Sequence, residues 1–580
     1  MSARPEDQRH AAREGTESTG ERELPLVFDA FNRPLSRRSV LALLGTSATA
    51  AFLAACGSSA ASPSAAAPTT SAAPSTPAAP TASAAPTPGA SAVASATPAA
   101  SAGGRSKTVV IGNGEGDAEH LDMLLTPAFV TRQNAGPVHG FLTKLEVDGS
   151  ISPELATAWE VVDPTHIRFT IREGVKFHNG RALVAEDVKK TYDHILKEAT
   201  GSTFRGSLDP VLSGWETPDA TTAIAVLKQP FPAFIALASQ IPIYPMEVVE
   251  QQGDMKTNPV GCGPFVFKEW QKDNFSEFVR NPDYWDPDLP KIDTLRILPR
   301  SEAASLLNGF LADETDVITV YRFTDKSAIE GANGQTQQIF LFGFQFVIMD
   351  VNTPPFDNKA FRQAMEKGID RAALATVAQG PGTPVADMLI PKSSPLYPGD
   401  YTWQRDVEGA KALLAQSGVD LSQEINVMLV DLPFARPYGP VMQANFEEPG
   451  LRAKVDIRSV ADFIKLAYTD KKYQIAITGD ASPPDPSLFV NRYLTTGGST
   501  NVTNYSNPQV DDLLTRAGTT YDDAERKSLY SQAMKLVVDD APAFPAFENV
   551  VTTAWKNHIT GWGVKSNDDF YVLELDTSKA

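Results

Sequence analysis

Cysteine is nearly absent from this chain of 580 residues, which holds two, Cys56 and Cys262. Two thiols exclude a disulfide-rich scaffold and a four-thiolate metal site. Basic charge is in deficit, with 51 Lys+Arg against 70 Asp+Glu and a formal net charge of −19. A nucleic-acid binder needs a basic face for its phosphate contacts, so that class is set aside. Histidine is sparse: the seven lie at 10, 120, 139, 166, 178, 194 and 558, without ligand-like spacing. There is no G-x-S-x-G elbow, S-x-x-K motif, H-E-x-x-H helix or Walker A loop, so the common hydrolase and nucleotidase signatures are missing. No metal or cofactor is expected.

A long hydrophobic run is missing as well. The stretch Val40 to Ala55 has 16 residues and is interrupted by Gly45, Thr46, Ser47 and Thr49. A membrane-spanning helix needs about 20 apolar residues, so this run is too short and too polar. Basic residues, a short apolar run and small residues before a cut point describe a signal peptide over 1–56; a buried core helix is the alternative. Residues 1–56 hold seven basic and seven acidic side chains, so the net charge of −19 belongs to residues 57–580.

Arg37-Arg38 resembles a twin-arginine export signal, although Val40 and Ala42 stand where that pattern has Phe and Lys. Ordinary secretion is the alternative route. Leu53-Ala54-Ala55-Cys56-Gly57 resembles a lipoprotein lipobox. That resemblance implies that Cys56 receives diacylglycerol and becomes the first residue of the mature chain. Residues 57–102 contain 19 Ala, 10 Ser, 8 Pro and 6 Thr and carry no charge. Such a segment cannot build a core, so 57–106 is expected to be a disordered tether. It would reach on the order of 40 Å as a coil and about 140 Å as polyproline II.

Residues 107–580 have the patterns of a globular protein. Ile167 to Arg172 alternates apolar and polar at the strand period, Glu173-Gly174 gives a turn, and Val175-Lys176-Phe177 reads as a second short strand. Glu186 and Asp187 open a helix running to about Lys197, where carboxylates favour the positive dipole end. Its stripe of Val188, Tyr192, Ile195 and Leu196 is core. Further on, Phe361 to Val377 reads as a helix and Ile425 to Val430 as a buried strand. Val455 to Ile457 reads as an edge strand and Ile475 to Ile477 as another. Strands alternating with helices indicate an α/β unit.

Several motifs carry a resemblance. They are Phe169-Thr170-Ile171-Arg172-Glu173-Gly174-Val175-Lys176-Phe177-His178-Asn179-Gly180, then Ala185-Glu186-Asp187-Val188, then Asn258 to Phe265 with its Gly-Cys-Gly core. Arg280 to Trp285, Asn352 to Asp357, Asn504 to Pro508 and Asp539 to Pro542 come after them in order. Together they resemble extracytoplasmic solute-binding proteins of family 5, the oligopeptide, dipeptide and nickel binders of ABC importers. Val184 and Cys262 stand where that family usually has Thr. The resemblance implies a two-lobed α/β fold of the periplasmic-binding type, with a hinge between the lobes. It places lobe I at 107–345 plus 546–580 and lobe II at 346–545.

The segment Gly479 to Pro486 lies after a buried strand and is Pro-rich, hence a loop at the strand's carboxyl end, where open α/β sheets hold ligands. In peptide-binding relatives an Asp in the matching loop accepts the peptide's ammonium group. Aligned on Asp485-Pro486, that position is Ser482, and Asp480 lies two residues earlier. Turn capping is the equal alternative for Asp480 and Asp485. Nickel-binding relatives use a His in this loop, and none is present. Phe342, Phe344 and Phe346 fall on one face of a strand, facing the cleft or the core. The resemblance puts His139 and Trp215 in cleft-lining regions. His178 belongs to the strand-turn signature and reads as structural, and Cys262 as a small buried thiol.

The expected function is binding without catalysis: a lipid-anchored, extracytoplasmic monomer that captures a peptide or similar polar solute for an ABC permease and its ATPase. The alternatives are a sugar, an opine or a metal chelate as ligand, or a surface sensor or enzyme that never transports. Cys56→Ala is expected to release the protein from the membrane fraction without altering ligand affinity. Retention of that variant in the membrane fraction would contradict the lipid anchor.

Overall fold

In the computed structural model, residues 107–126, 128–432, 435–481 and 485–578 are described. The expectations for Arg37, Arg38, Cys56, the 57–106 tether and Ser482 lie outside those residues. The described residues build a ten-stranded mixed sheet and a separate four-stranded antiparallel sheet. One end of the large sheet is made by Arg452–Arg458, Glu424–Val430 and Ile475–Ala481. Two long strands, Gly334–Met349 and Ala543–Lys556, come next. Val317–Thr319, Thr108–Asn113, Thr294–Pro299, Phe275–Arg280 and Phe265–Gln271 complete the other end.

The two long strands run antiparallel through both ends of the sheet. Gly334–Phe340 pairs with Val550–Lys556, and Phe344–Ile348 pairs with Ala543–Glu548. The register shifts between Phe340 and Phe344, so Leu341–Gly343 form a bulge where the ladder is interrupted. The tip of the hairpin Thr143–Leu145/Ile151–Pro153 reaches this point. Gly149 has φ +84°, and a Cβ there would lie 2.9 Å from the Ser393 carbonyl oxygen and 3.3 Å from the Phe342 ring, so glycine is required.

The hydrophobic cores divide along the same line. The largest is built of residues from Phe344 to Phe547. A second surrounds the four-stranded sheet of Ala156–Asp163, His166–Ile171, Thr222–Leu227 and Leu212–Asp219. A third lies against the other end of the large sheet, with Val109, Ile111, Phe265, Phe278 and Leu295.

Several sequence motifs are structural fasteners. Gly261 and Gly263 press on the segment Pro137–His139: a Cβ at Gly261 would sit 2.2 Å from the Val138 carbonyl oxygen, and one at Gly263 2.6 Å from that of Pro137. His178 Nε2 and the Asn281 amide both reach the Gly263 carbonyl, at 3.1 and 2.9 Å. His178 is thus structural, as the sequence indicates. Cys262 is buried, and burial, reinforced by the charge of Glu154, pushes its thiol up, away from the reactive thiolate. In the C-terminal half, Asp540 accepts hydrogen bonds from Tyr505 Oη at 2.7 Å and the Asn507 amide at 2.8 Å, and pairs with Lys359 at 2.8 Å.

The strand expected at Ile167 spans His166–Ile171, and the helix opened by Glu186 spans Ala185–Leu196. Val184 supplies no side-chain cap, but Asp187 accepts from the Val184 N–H at 2.9 Å, keeping half of the capping arrangement. Arg452–Arg458 is the edge strand. Two expectations are corrected. Val175-Lys176-Phe177 is not a strand, only an isolated bridge between Lys176 and Ala182. Phe361 to Val377 is not one helix but parts of two, Lys359–Gly368 and Arg371–Gln379. The chain breaks because Asp370 leaves helical geometry and its carboxylate accepts from the Ala373 N–H at 2.8 Å, starting a second helix. Apolar periodicity continues across the break and conceals it. Asp370→Ala is expected to lower stability by about 1 kcal/mol in denaturant unfolding, while Asp370→Asn, which keeps the acceptor, retains most of it. Equal losses in both variants would contradict the capping role.

Candidate functional site

Three strands, Glu424–Val430, Arg452–Arg458 and Ile475–Ala481, run parallel, so their carboxyl ends lie on one side. Open α/β sheets hold ligands outside such ends. Two recesses flank the crossing strand there, one on each face of the sheet. Beside Gln345, a recess of about 360 Å³ has an apolar wall of Val430, Tyr438, Phe463 and Ile477 and a polar floor of Gln345 and Thr478. Gln345 donates to Asn549 Oδ1 at 3.3 Å, and Asn549 donates to the Asp480 carbonyl at 3.4 Å. On the other face, a smaller recess of about 260 Å³ is lined by Phe342, Phe344, Leu389, Pro391, Asp485 and Phe489.

Neither aspartate is an exposed loop carboxylate. Asp480 belongs to the strand Ile475–Ala481, opposite Phe344, rather than to the loop after it. Its Oδ2 accepts from Arg492 at 3.0 Å and from Tyr493 Oη at 2.8 Å. Asp485 lies two residues before the helix Ser487–Leu494 begins and accepts from the Ser487 N–H at 2.9 Å and its hydroxyl at 2.7 Å. One nitrogen of Arg526 donates to both Asp485 oxygens at 2.8 Å. Sequence reasoning misses the two arginines, because a basic residue in an amphipathic helix carries no local sign of its partner.

Burial governs the charges at the crossing. Glu548 faces Phe344 across the ladder and is 2% exposed. Burial pushes its carboxyl up to about 7, against the Lys392 N–H and ammonium, which favour the ionised form, while Asp387 adds to the rise. The Lys392 N–H donates to Glu548 at 2.9 Å, and the Lys392 ammonium pairs with Asp387 at 2.9 Å. Sequence reasoning misses Glu548 too, since no motif surrounds it; its signal is a lone charge beside the apolar run Ala543 to Phe547.

The remaining expected residues disperse. Phe344 and Phe346 are each 1% exposed and share one face, as their spacing requires. Phe346 meets Phe489 and Tyr493 edge-on at 5.5 and 5.1 Å, so it is core; Phe344 is core but also borders the smaller recess. Trp215 is corrected to a core residue of the four-stranded sheet. Its ring lies 4.8 Å from Tyr192 and 5.8 Å from both Phe169 and Phe234. His139 lines a different recess, with Lys144, Glu154 and Lys565. Among the described residues no cluster of three or more His, Cys, Asp or Glu is arranged to hold a metal ion. No helix among them is long and apolar enough to cross a membrane.

The raised Glu548 carboxyl has a definite sign. The folded protein holds this proton more tightly than the unfolded chain, so the associated stability is present at low pH and is lost as pH rises toward about 7. Wild-type stability is therefore expected to fall relative to Glu548→Gln by about 1–3 kcal/mol between about pH 5 and pH 8. Parallel pH profiles of the two proteins would contradict it.

Residues 150–501 match the model of bacterial extracellular solute-binding proteins, family 5 Middle. Di/tripeptide-binding protein 1 of Pseudomonas aeruginosa (strain UCBPP-PA14) is 28% identical over 456 residues, covering 72% of this chain and 84% of that protein. Glutathione-binding protein GsiB of Shigella flexneri serotype 5b is 26% identical over 458 residues, covering 74% and 87%. Among solved structures, HbpA2 from Haemophilus parasuis superposes with a TM-score of 0.75 at 23% identity, over 81% of this chain and 100% of that one. AgaA of A. tumefaciens R10, in complex with agropinic acid, superposes with a TM-score of 0.67 at 25% identity, over 82% and 99%. These likenesses show the two-lobed α/β fold of the periplasmic-binding type. The chain belongs to family 5 of the bacterial extracellular solute-binding proteins.

Proposed function

We propose that the chain is the capture component of an ABC importer: it encloses a short peptide between two lobes and delivers it to a membrane permease and its ATPase, without catalysing a reaction. The observation that carries this reading is the full-length likeness to a di/tripeptide-binding and a glutathione-binding protein, over 84% and 87% of their lengths. In this reading lobe I is 107–345 plus 546–580 and lobe II is 346–545. The confinement of the largest core to residues from Phe344 to Phe547 supports that division. The bulge Leu341–Gly343 is the hinge, where few ladder bonds resist bending, and solute binding shifts the population toward the closed form. Gln345 faces the solute, and the apolar wall of Tyr438 and Phe463 receives a side chain. Export at Arg37-Arg38 and lipidation of Cys56 hold the protein on the outer side of the membrane as a monomer on its tether.

A second reading has an observation of its own. Asp480 and Asp485 are both engaged by arginines, at 3.0 and 2.8 Å, which weakens them as acceptors for a peptide's ammonium group. A polar solute of the opine kind, such as the one bound by AgaA, needs no such acceptor. Mass spectrometry of the solute that co-purifies with residues 107–580 separates the two. Short peptides are expected. Recovery of non-peptide solutes alone would overturn the peptide reading in favour of the second.

A further inference from the structure

A third recess lies apart from both carboxyl-end recesses and shares no lining residue with either. Four parts of the chain enclose it: the end of the helix Phe129–Ala135 with the turn after it, the region 141–154, Pro264 with Tyr284, and the C-terminal stretch 565–573. Most of its charges cancel locally. Arg132 grips Asp569 with two hydrogen bonds, at 2.6 and 2.9 Å, and Lys144 pairs with Glu146 at 2.8 Å.

Two opposite charges are left over. The Lys565 ammonium makes no hydrogen bond or ion pair among the described residues, and Glu154 accepts only the Phe141 N–H at its carboxylate, at 3.2 Å. Both side chains line the recess. Burial lowers the lysine, against the charge of Asp569 and, less, that of Glu154, and pushes the glutamate up to about 7, against the charge of Lys565. A cation and a carboxylate thus face one recess without touching.

His139 also lines the recess. It is 1% exposed, and neither ring nitrogen has a hydrogen-bond partner. Burial, with a smaller contribution from His178, brings it down to about 3, so the ring is neutral. Phe141, Tyr284 and Phe570 add aromatic surface to the walls, which suits a small apolar side chain.

We infer that this recess is a second small-molecule site, for a free α-amino acid or an equally compact zwitterion. The ligand's carboxylate meets the Lys565 ammonium, and its ammonium meets Glu154. Such paired, charge-assisted contacts discriminate against a molecule carrying only one of the two charges.

The test is calorimetric titration of the full chain with L-alanine, with acetate and methylammonium as single-charge probes and L-alanyl-L-alanine as the probe of the carboxyl-end site. L-alanine is expected to bind, and the single-charge probes to bind at least about tenfold more weakly. Glu154→Gln and Lys565→Met are each expected to weaken L-alanine about tenfold or more and to leave L-alanyl-L-alanine unchanged. Glu154→Gln keeps the shape of the side chain, so it carries the test if Lys565→Met fails to fold. Absence of L-alanine binding, L-alanine binding that neither variant alters, or L-alanine binding lost in Gln345→Ala would each overturn the inference.

Discussion

The antiparallel ladder between Gly334–Met349 and Ala543–Lys556 is the constraint on which the other features depend. It joins both ends of the ten-stranded sheet, and its register shifts at Leu341–Gly343. A continuous ladder would resist bending along its whole length; a bulge concentrates bending at a few residues. The parallel strands on one side end beside this point, so their loops and the recess of Gln345 stand next to the hinge. In the proposed function, capture and bending at this point are coupled by position.

Buried ion pairs hold the elements around the hinge. Arg526 fixes Asp485 before the helix Ser487–Leu494, and Arg492 fixes Asp480 at the end of its strand. Arg371 is fully buried, pairs with Glu366 at 2.7 Å, and lies over the rings of Trp403 and Phe544 at 4.2 and 5.0 Å. Burial shifts both members of that last pair toward their neutral forms, with Arg371 pulled down to about 10 and Glu366 raised. Desolvation therefore offsets much of the attraction, and the pair specifies geometry more than it adds stability. Removing one partner alone is a different matter, because an unpaired buried charge costs about 3–5 kcal/mol.

Local pattern is enough to find His166–Ile171, the helix opened by Glu186 and Asp187, and the Gly-rich turn at Asn258 to Phe265. These features are written in neighbouring residues: period-two alternation, a charged first turn, small residues at a close approach. The break at Ile369-Asp370 is hidden because apolar spacing continues through it. The alternating phenylalanines are ambiguous in sequence, since one strand face can meet core or cleft. Trp215 is misplaced by sequence reasoning because membership in a cleft-lining region does not fix which way a side chain points. The charge partners are beyond its reach: Asp485 and Arg526 are 41 residues apart, and nothing local links Glu154 to Lys565 or Lys392 to Glu548. Long-range pairing is decided by topology, which only the sheet order reveals.

The central claim is that the lobes move about the crossing strands to enclose a solute. Spin labels on cysteines placed at Val162 and Ile457, which are 44% and 48% exposed and fall in the two proposed lobes, report that motion, and buried Cys262 stays unlabelled. Pulsed dipolar spectroscopy with and without the co-purifying solute gives the distance distribution between them. The account predicts two populations whose balance shifts to the shorter distance when solute is added. A single distance, unchanged while calorimetry shows the solute bound, would contradict it.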